Sequence, residues 1–260
     1  MNVVVCVKQI PDPAAPQSLD AQHRLQRAGK LILDEADTYG VEVALRLVEA
    51  RGEGEVSLVS MGDASDVSAL RTALAMGAVR ATVISDPLLK GADALSTAKV
   101  LAAVISREAP DLILCATESS DGYTGTLPVQ LAQLLDLPAL TFATSVDVQG
   151  TTVVIHRQTE AGFDEVASEL PAVVTVTAGV VEPRYATFKG IMAAKSRPVN
   201  VLSLADLGLD PADLDPRQDI VGVETTTTKS AGEKYVDDGE GAARIVAFLE
   251  QIKILSRSAS

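Results

Sequence analysis

The stretch ESSDGYTGTLP, residues 118–128, follows directly on the apolar run DLILCAT at 111–117 and precedes a helical pattern. Two glycines, serines, threonines and an aspartate ahead of a helix N-terminus suit phosphate. Backbone N–H groups can approach an anion closely there, and the helix dipole favours negative charge. The same residues also read as an ordinary strand-to-helix turn, with Thr124 or Thr126 as the cap. A second stretch, EPRYATFKGIMAAK at 182–195, sets Tyr185 and Phe188 among cations in a chain with only four phenylalanines, four tyrosines and a net charge of −13. Phe188, Ile191 and Met192 stand at i, i+3 and i+4, so they share one side of a short helix, with Lys189 and Lys195 elsewhere on its surface. Ile191 and Met192 are expected to be core and to hold the segment down. Phe188, near the helix start after Pro183, is expected to be the part shown to a partner.

Other chemistries lack their residues. Cys6 and Cys115 lie inside the apolar runs VVVCV and LILCA, where a buried, reduced thiol is the expected state. His23 and His156 are far apart and have no metal-ligand spacing, and His156 on an alternating strand is expected to be structural or exposed rather than a base. No G-x-G-x-x-G follows the first strand and no G-x-x-x-x-G-K-[ST] occurs, so a nucleotide would sit on a different phosphate loop. With 22 basic against 35 acidic residues, attraction to a phosphate backbone cannot drive nucleic-acid binding. The apolar opening MNVVVCVKQIP is shorter than the ~20 residues of a membrane span and lacks the features of a signal peptide, so a cytoplasmic protein without membrane insertion is expected.

These stretches need a frame, and the first half of the chain predicts one. VVVCV at 3–7, VSLVSM at 56–61, ATVIS at 81–85 and DLILCAT are near-continuous apolar runs, as for strands covered on both faces. Residues 36–51, 66–76 and 92–108 between them carry apolar residues at helical spacing, with Asp66 and Asp93 as N-caps and Gly77 as a stop. The pattern is an α/β, doubly wound, mostly parallel sheet. After the helical LPVQLAQLLDLP, alternation in ALTFATSVDVQ, TTVVIHRQ, DEVASEL and PAVVTVTAG predicts a β-hairpin extension turning at Gly150 and at Ala161-Gly162. A further strand, RPVNVLSL, follows the 182–195 stretch. Residues 1–204 are expected to form the domain. From 205 to 260 a polar run without helical or strand period ends in the amphipathic AARIVAFLEQIKIL, which reads as an arm laid across a partner or as a disordered linker. Ligands of such sheets bind beyond the strand ends where the strand order switches, which directs attention to the loop after DLILCAT.

The chain resembles the beta subunits of bacterial electron transfer flavoproteins. The likeness is carried by VVVCVKQIPD, RTALAMGA at 71–78, DLILCATESSDGYTG, LPAVVTV at 170–176, EPRYATFKGIMAAK and KSAGEK at 229–234. It implies an adenine-nucleotide-binding type of fold and a heterodimer whose alpha subunit holds the redox-active FAD and is wrapped by the C-terminal arm of this one. It implies AMP as a structural ligand here, with Cys6, Asp34, Met61 and the loop from Ala116 to Thr126 (Ser119, Ser120, Asp121, Gly122, Tyr123, Thr124, Gly125 and Thr126 among them) lining its site. Tyr123 stands where the family commonly has an acidic residue, and Thr126 where it has glutamine. Electrons would arrive from acyl-CoA or similar dehydrogenases, as in fatty acid oxidation, and leave to a quinone oxidoreductase. The protein would be a carrier subunit and not an enzyme. The segment 182–197 corresponds to the family's recognition loop, with Phe188 where leucine is frequent, and Lys189, Lys195 and Arg197 as a steering rim. Two other readings are an electron-bifurcating subunit with a second FAD in the AMP site and a stand-alone nucleotide sensor resembling the universal stress proteins. The long arm speaks against the latter.

Overall fold

The structure is a computed structural model that describes residues 1–224, 232 and 234–255. In chain order the elements are β1 (Asn2–Cys6), β2 (Gln9–Pro11), β3 (Leu31–Leu33), α1 (Glu35–Arg51), β4 (Glu55–Met61), α2 (Ser68–Met76), β5 (Arg80–Ile84), α3 (Ala94–Glu108), β6 (Leu112–Ala116) and α4 (Leu127–Leu135). Then come β7 (Ala139–Gln149), β8 (Thr152–Thr159), β9 (Gly162–Glu169), β10 (Ala172–Val176), α5 (Phe188–Ala194), β11 (Val199–Leu202), α6 (Leu204–Leu207) and α7 (Gly241–Gln251).

One nine-stranded sheet runs β11-β5-β4-β1-β6-β10-β7-β8-β9. It is parallel from β11 to β7 and antiparallel through β7, β8 and β9. The chain works outward from β1 through β4 to β5, then returns to the other side of β1 as β6. The strand order therefore switches between β1 and β6, and the loops beyond their C-terminal ends flank a crevice. Val3, Val5, Leu112, Leu114 and Val174 join one apolar layer with α1 and α2. Val4, Cys6, Ile113, Cys115 and Val173 join a second layer with α3 and α4. Alternation along a strand puts successive side chains on opposite faces, so strands buried on both sides read as unbroken apolar runs.

The structure revises several expectations about the elements. PAVVTVTAG does not continue the antiparallel meander. Its strand β10 is fully buried and pairs in parallel with β6 and β7, because it lies in the sheet centre with helices over it. The second hairpin turns on Glu160 and Ala161, since Thr159 already pairs with Gly162. Asp66 is not the N-cap of α2. Val67 holds that position, and the Asp66 carboxylate accepts the N–H of Ser68. Asp93 does cap α3 by accepting the Ser96 N–H at 2.8 Å, and Gly77 (φ 152°) ends α2. The small β2–β3 hairpin was not legible, being only three residues on each side.

The chain divides into two units, Met1–Val221 and Gly222–Ser260. The segment after 204, read from sequence as polar arm, still packs on the first unit: Leu207 and Leu214 are buried with Leu204 in the layer beside α3. Arg107 donates to the carbonyls of Asp206 and Leu207, and the Ser96 hydroxyl donates to that of Leu214. Buried leucines three and seven residues apart in Asp-rich surroundings carry too weak a period to be seen in sequence. In the second unit α7 has no buried residue, and Ile245, Phe248 and Ile254 are exposed. Most of the KSAGEK motif lies outside the described residues. Among those described, no helix is long and apolar enough to cross a membrane.

Candidate functional site

The crevice is built from the ends of β1 and β6 and the start of α1. Asp34, the α1 N-cap, is fully buried and accepts the N–H of Ala36. Its other bonds reach across to the loop after β6: it accepts the Ser120 N–H at 2.8 Å and the Ser120 hydroxyl at 2.9 Å. Both of its oxygens are therefore occupied by protein donors, and its part is to fix the loop. Lys8, just beyond β1, donates its ammonium to Asp121 at 2.6 Å and to the Ser119 hydroxyl at 3.1 Å. Arg27, from the loop between β2 and β3, pairs with the other Asp121 oxygen and donates to the Gln9 carbonyl. Burial opposes the charge of Asp121, but the bonds and cations of Lys8 and Arg27 outweigh it and hold the carboxyl below its usual range.

Asp37, in the first turn of α1, is buried and accepts the Lys8 N–H at 2.6 Å. Burial first, then the neighbouring Asp34, push its carboxyl well above the ordinary 3.8. A native pKa above the unfolded one means that the folded state holds the proton more tightly, so stability declines as pH rises from the unfolded value through the native one. Asp37→Asn keeps an acceptor for Lys8 and removes the charge. The variant is expected to lose that decline, so that its advantage over the wild type in urea unfolding grows as the pH is raised above the ordinary aspartate value of 3.8.

The loop thus has two parts. Ser119, Ser120 and Asp121 are tied to α1, Lys8 and Arg27. Gly122 to Thr126 are exposed, and the N–H groups of Thr124, Gly125, Thr126 and Leu127 have no acceptor among the described residues. Thr126 occupies the N-cap position of α4 without a side-chain bond, which leaves the Leu127 N–H open, while Pro128 after it has none. Tyr123 (φ 48°) and Gly125 (φ 62°) both take left-handed backbone, which turns the loop back toward α4. One turn into α4, the Gln130 Oε1 is a buried acceptor without a donor. Open N–H donors at a helix start, beside a loop anchored by Lys8 and Arg27 through Asp121, suit a phosphate group. Cys6 and Met61, at the ends of adjacent strands β1 and β4, belong to one apolar cluster, and Ala116 ends β6 beside them. The hydrogen bond with Cys6 and burial push the Cys115 thiol up, so it stays protonated and unreactive. Lys8, Arg27 and Asp37 were missed in sequence. For Lys8 the signal was present, a lysine directly after the first strand; Arg27 sits in a loop whose course is set only by tertiary packing.

The second candidate region departs from its reading. Phe188 is 79% exposed as expected, but Ile191 and Met192 are 47% and 50% exposed and are not core. Ala194 is the buried residue of α5, and the helix turns its bulky apolar face outward while Gly190 lies against the Ala75 carbonyl of α2. Lys189 and Lys195 are exposed. Arg197 is not part of a cationic rim: its guanidinium bonds the carbonyls of Leu74 and Ala78. His156 is exposed and lies beside Glu165 on the hairpin. No group of histidine, cysteine or acidic residues among the described residues could hold a metal.

The fold and site define a class: a doubly wound α/β protein with an anion-suited crevice at the strand switch and an exposed apolar helix beside a small core-facing surface. The electron transfer flavoprotein domain model matches residues 23–207. The electron transfer flavoprotein subunit beta of Mycobacterium leprae is 37% identical over 98% of this chain and 99% of its own length. That of Bacillus subtilis is 32% identical over 96% and 97%, and the caffeyl-CoA reductase-Etf complex subunit CarD of Acetobacterium woodii is 32% identical over 81% of each chain. The chain belongs to the electron transfer flavoprotein family, among its beta subunits. It is an electron-transfer subunit, not an enzyme.

Proposed function

We propose that this chain pairs with an alpha subunit and passes electrons from acyl-CoA-type dehydrogenases to a quinone oxidoreductase, holding AMP as a structural ligand. The observation that carries the nucleotide reading is the run of unpartnered N–H groups from Thr124 to Leu127 at the head of α4, beside a loop anchored by Lys8 and Arg27 through Asp121. Those donors would hold the phosphate, while Cys6, Met61 and Ala116 would line the crevice. FAD, held mainly by the alpha subunit, supplies the redox chemistry of the pair. The exposed side of α5, with Phe188, Ile191 and Met192 flanked by Lys189 and Lys195, would meet the dehydrogenase. Residues from Gly222 onward, with the exposed apolar side of α7, would form the arm on the alpha subunit.

One relative favours a second reading. CarD is named as part of a caffeyl-CoA reductase-Etf complex, and a bifurcating role would put a second FAD in the same crevice. The test is to co-purify the chain with its alpha partner, denature the complex and quantify what is released. One AMP and one FAD per heterodimer are expected. Two FAD without AMP would replace the first reading by the second, and no nucleotide from this subunit would overturn both.

A further inference from the structure

RTALAMGA at 71–78 and EPRYATFKGIMAAK at 182–195 are far apart in sequence, yet α2 and α5 pack directly on each other. Arg71, in the first turn of α2, donates to the carbonyls of Ala194 at 2.6 Å and Arg197 at 2.5 Å, beyond the end of α5. Arg197 returns the bond to Leu74 and Ala78 at the end of α2. Arg71 of α2 thus bonds the last carbonyl of α5, and Arg197, three residues past α5, bonds the end of α2, where Leu74 also accepts the Gly77 N–H; a cation at a helix C-terminus also suits the helix dipole. Gly190 lies flush against α2: a Cβ added to it would stand 2.3 Å from the carbonyl oxygen of Ala75. At the entry to α5, Arg184 is held by Glu42 and Glu49 of α1. Phe188, Ile191 and Met192 face away from all of these contacts.

We propose that Arg71, Gly190 and Arg197 are positioning residues that hold α5 ready-made on α2, so that its apolar face meets a dehydrogenase without first being ordered. The inference rests on the docking reading above. A helix already fixed in its bound geometry avoids the ordering cost that a mobile segment would incur on association. Loosening it weakens binding of the partner without touching electron transfer within the bound pair, which appears as a higher KM at constant kcat.

The test uses the complex with its alpha subunit as substrate for an acyl-CoA dehydrogenase that reduces the wild-type form. Phe188→Ala is expected to raise KM roughly tenfold, as removal of a central aromatic anchor does. Gly190→Ala and Arg71→Met are expected to raise KM about fivefold or more, with kcat and the AMP and FAD contents unchanged. Arg71→Lys, which restores a donor, is expected to recover most of the loss. If Phe188→Ala raises KM and the two positioning variants do not, the pre-ordering proposal is overturned and docking stands. If Phe188→Ala leaves KM unchanged, docking on α5 is overturned and the proposal with it. A fall in kcat at unchanged KM in the positioning variants would also overturn it. Should Gly190→Ala fail to assemble, Arg71→Met and its lysine counterpart decide the matter.

Discussion

Complexes carrying Gly125→Val are expected to retain at least about tenfold less AMP than the wild type after gel filtration, a loss of ~1.4 kcal/mol in binding. Gly125 sits at φ 62°, where a β-branched residue is a steric outlier that costs on the order of 1–3 kcal/mol. The loop would relieve that strain by rotating, and in doing so it would redirect the N–H groups of Thr124, Gly125 and Thr126. The contrast with Gly122 is informative, because that residue is not left-handed. A Cβ there would stand 3.2 Å from the Ser119 hydroxyl and 3.7 Å from the Lys8 ammonium. Gly122→Ala should therefore press on the Lys8–Ser119–Asp121 cluster and give a milder loss. AMP released per heterodimer, read beside thermal unfolding, checks both. Full AMP in a folded Gly125→Val complex would place the nucleotide elsewhere.

The second large effect concerns stability. Glu42 is 2% exposed and its carboxylate is shared between Arg184 at 2.7 Å and Arg46 at 2.7 Å. Burial opposes its charge, but the hydrogen bonds from Arg184 and Arg46 outweigh it, and its pKa lies below the usual 4.5. A carboxylate whose native pKa is depressed contributes stability above its unfolded value, and that contribution is lost as pH falls through the native one. Arg184→Ala removes the larger partner and leaves a buried charge with Arg46 alone. Unfolding free energy at pH 7 is expected to fall by roughly 3 kcal/mol, the scale found when one side of a buried pair is deleted. The gap between variant and wild type should then narrow as pH drops below about 4.5, because protonated Glu42 no longer needs the cation. Urea unfolding at the two pH values checks this. An equal gap at both would mean that lost packing of the arginine, and not the stranded carboxylate, was responsible.

Arg71 and Arg197 show how the docking region escaped the sequence reading. The helical spacing of Phe188, Ile191 and Met192 correctly put them on one side of a helix. Spacing alone cannot say which side faces the protein, since an apolar stripe looks the same whether it meets a core or a partner. The residues that decide it are Gly190 and Ala194, whose small size lets α5 lie on α2, and the arginines that bond the helix ends. Those bonds are to main-chain carbonyls, and a carbonyl acceptor leaves no trace in residue type.

The loop at 118–126 divides in the same way. Its glycines and its place between an apolar strand and a helix were legible, because local backbone demands are written in residue identity. That Asp34 would be buried against Ser120, and that Asp121 would be shared by Lys8 and Arg27, depended on three distant segments converging at the β1–β6 switch. By itself the sequence determined the alternation of buried strands and helices, since apolar runs and caps are local signals and burial on both faces admits few alternatives. Tertiary structure alone decided where β10 inserts, how far the chain past 204 stays packed, and which face of α5 is open. Each of those depends on pairings between residues far apart in the chain, whose energies no single stretch contains.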